Sequence, residues 1–138
     1  MTYLEILNRM AVLGDVLTLK LPAKAMAETL RLRAHYAKGV KEWTTIAEQI
    51  NKDTAPAEGK ERDEEQQKQY DEVLQAKAAE DAELKDRRYT PEAFEQLCEV
   101  TSDKDMMLSA LARDKEGKPG EIPAVAWLDY VAANLVEE

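Results

Sequence analysis

A single cysteine, Cys98, and a single histidine, His35, exclude an intramolecular disulfide and any zinc site built from several Cys and His ligands. No apolar run comes near the roughly 20 residues that cross a bilayer, so no membrane association is expected. The opening residues include Glu5 and Asn8 and show no cleavage-site pattern, so a secretory signal is not expected and the cytoplasm is. Glycine and proline are scarce at five each and phenylalanine occurs once, which argues against a turn-rich or aromatic-rich sheet protein. A Gly-rich phosphate loop is also missing, since Gly117 and Gly120 in GKPG have neither a strand before them nor a helix after.

What the chain does have is Ala, Leu, Glu, Lys, Asp and Gln, all compatible with helix and most of them strong formers. Its 138 residues at 44% hydrophobic content suit one domain, residues 1–138, with a modest core. Thr2 and Glu5 make a T-x-x-E capping box ahead of Leu4, Leu7, Met10 and Ala11, which predicts a first helix ending near Gly14. Leu17, Leu19 and Leu21 then alternate, as in an extended connector laid over a core.

Pro22 suits a first helical turn, and residues 22–51 read as one long amphipathic helix. Leu32, Tyr36, Val40, Trp43 and Ile50 fall on its apolar side, while Lys24, Arg31, His35, Lys38 and Glu42 fall opposite. After a break containing Pro56 and Gly59, residues 60–87 predict a second long helix with a narrow stripe at Tyr70, Val73, Leu74 and Leu84. So short a connection makes the two an antiparallel hairpin. In that register Arg33 lies as far before the turn as Asp81 lies after it, and the two are expected to meet as a partly buried ion pair.

Thr90-Pro91-Glu92 is a strong helix start leading to Phe94, Leu97 and Cys98. A further short helix is expected from Ser102 or Asp103 to Leu111, then a turn-rich loop over 114–120, and a terminal helix opening at Pro123 that carries Trp127, Tyr130 and Val131. The expected architecture is therefore all-α: a long antiparallel helical hairpin (22–88) packed with a short N-terminal helix and connector (1–21) and two or three short C-terminal helices (89–138).

The net charge of -9 is unevenly spread. Residues 1–57 carry 8 Lys+Arg against 6 Asp+Glu, residues 58–88 carry 7 against 11, and residues 89–138 carry 4 against 11. An acidic field of that kind repels nucleic-acid backbones, so direct nucleic-acid binding is not expected. Lys24, Arg31 and Lys38 repeat every two turns and, with His35, form a basic face that suits an acidic partner or a second copy of the chain; an ordinary solvated face is the simpler account.

Catalytic candidates are weak. His35 lies among Lys and Arg on a polar face, which reads as a surface histidine. Cys98 is flanked by Glu95 and Glu99, which reads as a structural thiol rather than a nucleophile. Glu61, Glu64, Glu65, Glu80, Glu83 and Asp86 include i, i+3 pairs that could hold Mg²⁺, as in all-α nucleotide pyrophosphatases, but they point away from the apolar seam. No catalytic residue, metal ligand or cofactor is therefore assigned.

The segment LEILNRMAVLGDVLTLKLPAKAMAETLRLRAHYAKGVKEW resembles the start of small helical proteins encoded by tailed bacteriophages and prophages. Those proteins share a short helix, an apolar connector ending in Leu-Pro, here Leu21-Pro22, and a long helix with spaced Arg and aromatic residues; the likeness covers about residues 3–50. It implies a phage setting inside a bacterial host cell and carries over no functional residues. Two functions are thus expected in order: a non-enzymatic interaction protein for assembly or regulation, through a protein partner or self-association, and an acidic inhibitor that imitates nucleic acid toward a host enzyme.

Overall fold

A computed structural model of the protein describes residues 1–101, 107–108 and 122–137. The chain is all-α, with five helices among these residues: α1 (Tyr3–Val16), α2 (Ala23–Asp53), α3 (Glu64–Ala78), α4 (Pro91–Val100) and α5 (Ala124–Asn134). A two-residue antiparallel ladder joins β1 (Met107–Leu108) to β2 (Ile122–Pro123). Met107 and Leu108 are thus extended, not part of the helix expected there; the rest of that helix, from 102 to 106 and from 109 to 111, and the loop over 114–120 lie outside the described residues.

Local signals start these helices. Thr2 and Glu5 close the capping box of α1, Asp63 and Gln66 close another on α3, and Thr90 caps α4 with Pro91 in its first turn. Pro22 precedes α2 without a side-chain cap, and Gln96 of α4 supplies one across the fold by accepting from the Ala25 N–H at 3.0 Å. α1 runs two residues beyond Gly14 to Val16, and a turn with Leu19 buried replaces the extended connector.

The buried face of α1 also differs from the expected one. Leu4 is 53% exposed, whereas Tyr3, Ile6, Arg9, Leu13 and Val16 are buried at a 3/4 spacing. That face meets the first half of α2 at Leu32, Tyr36 and Gly39, and Tyr89, Leu97, Trp127, Val131 and Leu135 complete the core.

The main departure from expectation is the second long helix. It stops at Ala78, a turn follows at 79–80, and residues 81–90 cross α1 and α2 without helix, as a strap. Contacts far away in sequence override a strong helical propensity here. The Ala82 N–H donates to the Met1 carbonyl at 2.9 Å, Tyr3 N–H to the Glu80 carbonyl at 3.4 Å, and the Met1 amino group lies 3.2 Å from Asp81. Ala82 and Tyr89 are buried, and Leu84 packs at Gly39, where an added Cβ would approach Leu84 Cδ2 to 3.3 Å and Ile6 Cδ1 to 2.8 Å. At its far end the Tyr89 N–H and C=O bond Leu135 and Glu137 at 2.6 and 2.9 Å, so the C-terminal segment pairs with the strap.

This strap corrects the expected Arg33–Asp81 pair. Leu84 lies at Gly39 and Arg87 at Tyr36, so the strap runs antiparallel to α2 and Asp81 lies beyond Gly39. Asp81 thus sits beside the N-terminus, where Tyr3 stacks on Trp43 and donates to Glu42 at 3.3 Å. Arg33 is nine or ten residues back along α2, about 14 Å away. Asp81 pairs with the Met1 amino group, and Arg33 Nε is buried with no partner among the described residues.

Candidate binding cleft

Where the strap crosses α2, Tyr36 organises the polar contacts. Its hydroxyl donates to the Arg87 carbonyl and accepts from the Arg87 N–H at 3.0 Å and from Arg9 Nη1 at 2.8 Å. One donor and two acceptor positions are thereby all used. Arg9, buried within α1, also bonds Asp86, and Arg88 Nη2 reaches the other Asp86 oxygen at 2.9 Å. Burial acts to raise the Asp86 pKa, but the hydrogen bonds from Arg88 and Arg9 outweigh it and hold the carboxyl below its usual range. For Arg9 burial acts the other way, and the bonds to Asp86 and Tyr36 overcome it and raise its pKa.

Beside this knot lies an open cleft of about 560 Å³, lined by Lys24, Glu28, Arg31 and Leu32 of α2, by Asp86, Arg87, Arg88 and Thr90 of the strap, and by Glu137. Most of its charges are committed. Glu28 accepts from the Thr90 N–H and hydroxyl, both at 2.9 Å, and so fixes the start of α4. Lys24 pairs with Glu92, whose hydrogen bond raises the lysine pKa and lowers that of the carboxylate. Arg31 and Arg87 are exposed, and among the described residues their guanidiniums have no hydrogen-bond or ion-pair partner. Among the described residues this pair of cations is left without a partner.

Of the four residues expected on the basic face, the structure brings Lys24 and Arg31 into the cleft and leaves Lys38 exposed outside it. His35 is a correction: it is buried, with Nε2 2.6 Å from the Lys85 carbonyl and its ring edge-on to Tyr36, because the strap covers that side of α2. Arg9, Arg87 and Arg88 were missed as site residues. Arg9 had a readable signal, an arginine in register with Ile6, Leu13 and Val16, whereas Arg87 and Arg88 were hidden by placing them at the end of a helix.

The carboxylates considered for Mg²⁺ do not assemble. Glu80, Glu83 and Asp86 fall on the strap and lose their helical spacing, and no group of three potential ligands that could hold a metal occurs among the described residues. Burial and then Glu95 push the Cys98 thiol up, away from nucleophilic use. On α3, Glu64 and Asp71 share a shallow hollow with Lys68 and Arg62. No described helix is long and apolar enough to cross a membrane. Comparison with protein-family models, curated proteins and solved structures gives no match.

Proposed function

We propose that this is a non-enzymatic interaction protein of a tailed phage or prophage, acting in assembly or regulation inside the bacterial cell, with the hairpin of α3 and the second half of α2 as its docking arm. The observation that carries the reading is that α3, 15 residues long, buries no residue and adds none to the core. Helices in folded proteins draw most of their stability from packing an apolar face. α3 relies instead on local devices: its capping box, the Arg62 clasp on the Asn51 and Thr54 oxygens, and the stacking of Arg62 on Tyr70 at 4.3 Å. A pair of helices held that way keeps its outer faces for a partner protein or a second copy. Mimicry of nucleic acid has less support, because Glu64 and Asp71 lie two turns apart, about 10.5 Å, with the cationic Lys68 between them.

The test is affinity capture from host and infected lysates with the wild-type chain and Val73→Glu side by side, identified by mass spectrometry, together with sedimentation of each. Val73 is 36% exposed on α3, so the variant should keep its melting curve while losing the captured protein or the self-associated species. Unchanged capture and sedimentation by Val73→Glu would remove the arm from the reading.

A further inference from the structure

We propose that the cleft between α2 and the strap binds a phosphoryl group, carried either on a small molecule or on a phosphorylated side chain of a partner. The charges say why. Asp86 is taken by Arg9 and Arg88, Glu28 by Thr90, and Lys24 by Glu92, which leaves the guanidiniums of Arg31 and Arg87 facing one uncommitted carboxylate, Glu137. Two planar forks of N–H donors, carrying two positive charges between them, suit the three terminal oxygens and the nearly two negative charges of a phosphate monoester better than the single charge of a carboxylate.

The site is also held in shape. Both backbone polar groups of Arg87 are fixed on the Tyr36 hydroxyl, which is itself fully buried, and Arg31 adjoins the buried Leu32 on a continuous helix. Such anchoring reduces the ordering cost of binding. The volume, about 560 Å³, falls within the range of small-molecule sites. The whole chain carries -9, so its long-range field repels anions and any anion bound must be held by local groups. The proposal is independent of the docking arm, which lies at the other end of α2.

Calorimetric titration of the full chain with inorganic phosphate at constant ionic strength tests it, with acetate as the carboxylate control. Phosphate should saturate a single site and acetate should bind at least about tenfold more weakly. Arg31→Gln and Arg87→Gln should each weaken phosphate at least about tenfold, while Lys38→Gln, which removes the same charge outside the cleft, should change it less than about twofold. Glu92→Gln releases Lys24 toward the cleft and should tighten binding about threefold, a gain that misfolding cannot imitate. Absence of saturation, acetate binding equal to phosphate, or an equal loss in Lys38→Gln would each overturn the site. A phosphoserine peptide binding more tightly than phenyl phosphate places the group on a protein, and the reverse order places it on a small molecule; both support the phosphoryl assignment.

Discussion

Two glycines in neighbouring helices show how one residue type answers to different surroundings. Gly14 lies within α1 with nothing within 4 Å of where a Cβ would be, so Gly14→Ala removes backbone freedom from the unfolded chain at no steric cost. Gly39 lies where α1, α2 and the strap converge, and its added methyl would meet two atoms of the fully buried Ile6 at 2.8 and 3.1 Å. Overpacking costs more than helix propensity returns there. In urea denaturation, Gly14→Ala should gain about 0.5–1 kcal/mol and Gly39→Ala should lose about 1 kcal/mol. A shared sign would mean that one of the two environments is misread. Neither outcome could be assigned from sequence, where Gly14 marks the expected end of the first helix and Gly39 lies inside the second.

Among the elements, the strap separates local preference from global packing. Residues 76–87 contain four alanines, a leucine and alternating charges, a composition that forms helix when left alone. The chain ends the helix at Ala78 and carries the rest out of it, with Glu83 at a φ of 56°, a left-handed conformation that residues other than glycine and asparagine resist. Asp81 supports the bend by accepting the Glu83 N–H at 2.9 Å. Glu83→Gly therefore distinguishes strap from helix by sign: it should raise stability by about 0.5–1 kcal/mol in the strap, whereas the same change inside a helix would cost about 1 kcal/mol. Thermal and urea unfolding of this one variant are sufficient. Helix starts at Thr2 and Thr90 were legible because each cap lies within three residues of the group it satisfies, while α3 starts at Asp63, three residues after the expected position. The end of α3 was not legible, because no stop signal is written at Ala78 and the contacts that end it come from the N-terminal helix.

Over the whole molecule, the core and its polar contacts set a pH dependence. Burial pushes the Tyr89 phenol up to about 12, against its hydrogen bond with Thr29, which acts to lower it, and burial moves Tyr3 and Tyr130 in the same direction. The folded chain therefore keeps protons that the unfolded chain, with tyrosines near 10, gives up. Stability from Tyr89 is fully present below pH 10 and is lost as the pH rises toward 12, with a slope of at most about 1.4 kcal/mol per pH unit. Urea midpoints measured from pH 9 to 11.5 should fall, and Tyr89→Phe should flatten the fall; an unchanged slope in that variant would assign it to other groups. By itself the sequence determined the helical class, the placement of most helix starts, the break after α2 and the acidic balance, since these depend on composition and on neighbours a few residues apart. Only the tertiary structure decided the strap, the burial of His35, the partners of Arg9 and Asp81 and the cleft holding Arg31 and Arg87. The physical reason is distance along the chain: Met1 meets Asp81 across 80 residues and Arg9 meets Asp86 across 77, and no periodicity or propensity carries information over that span.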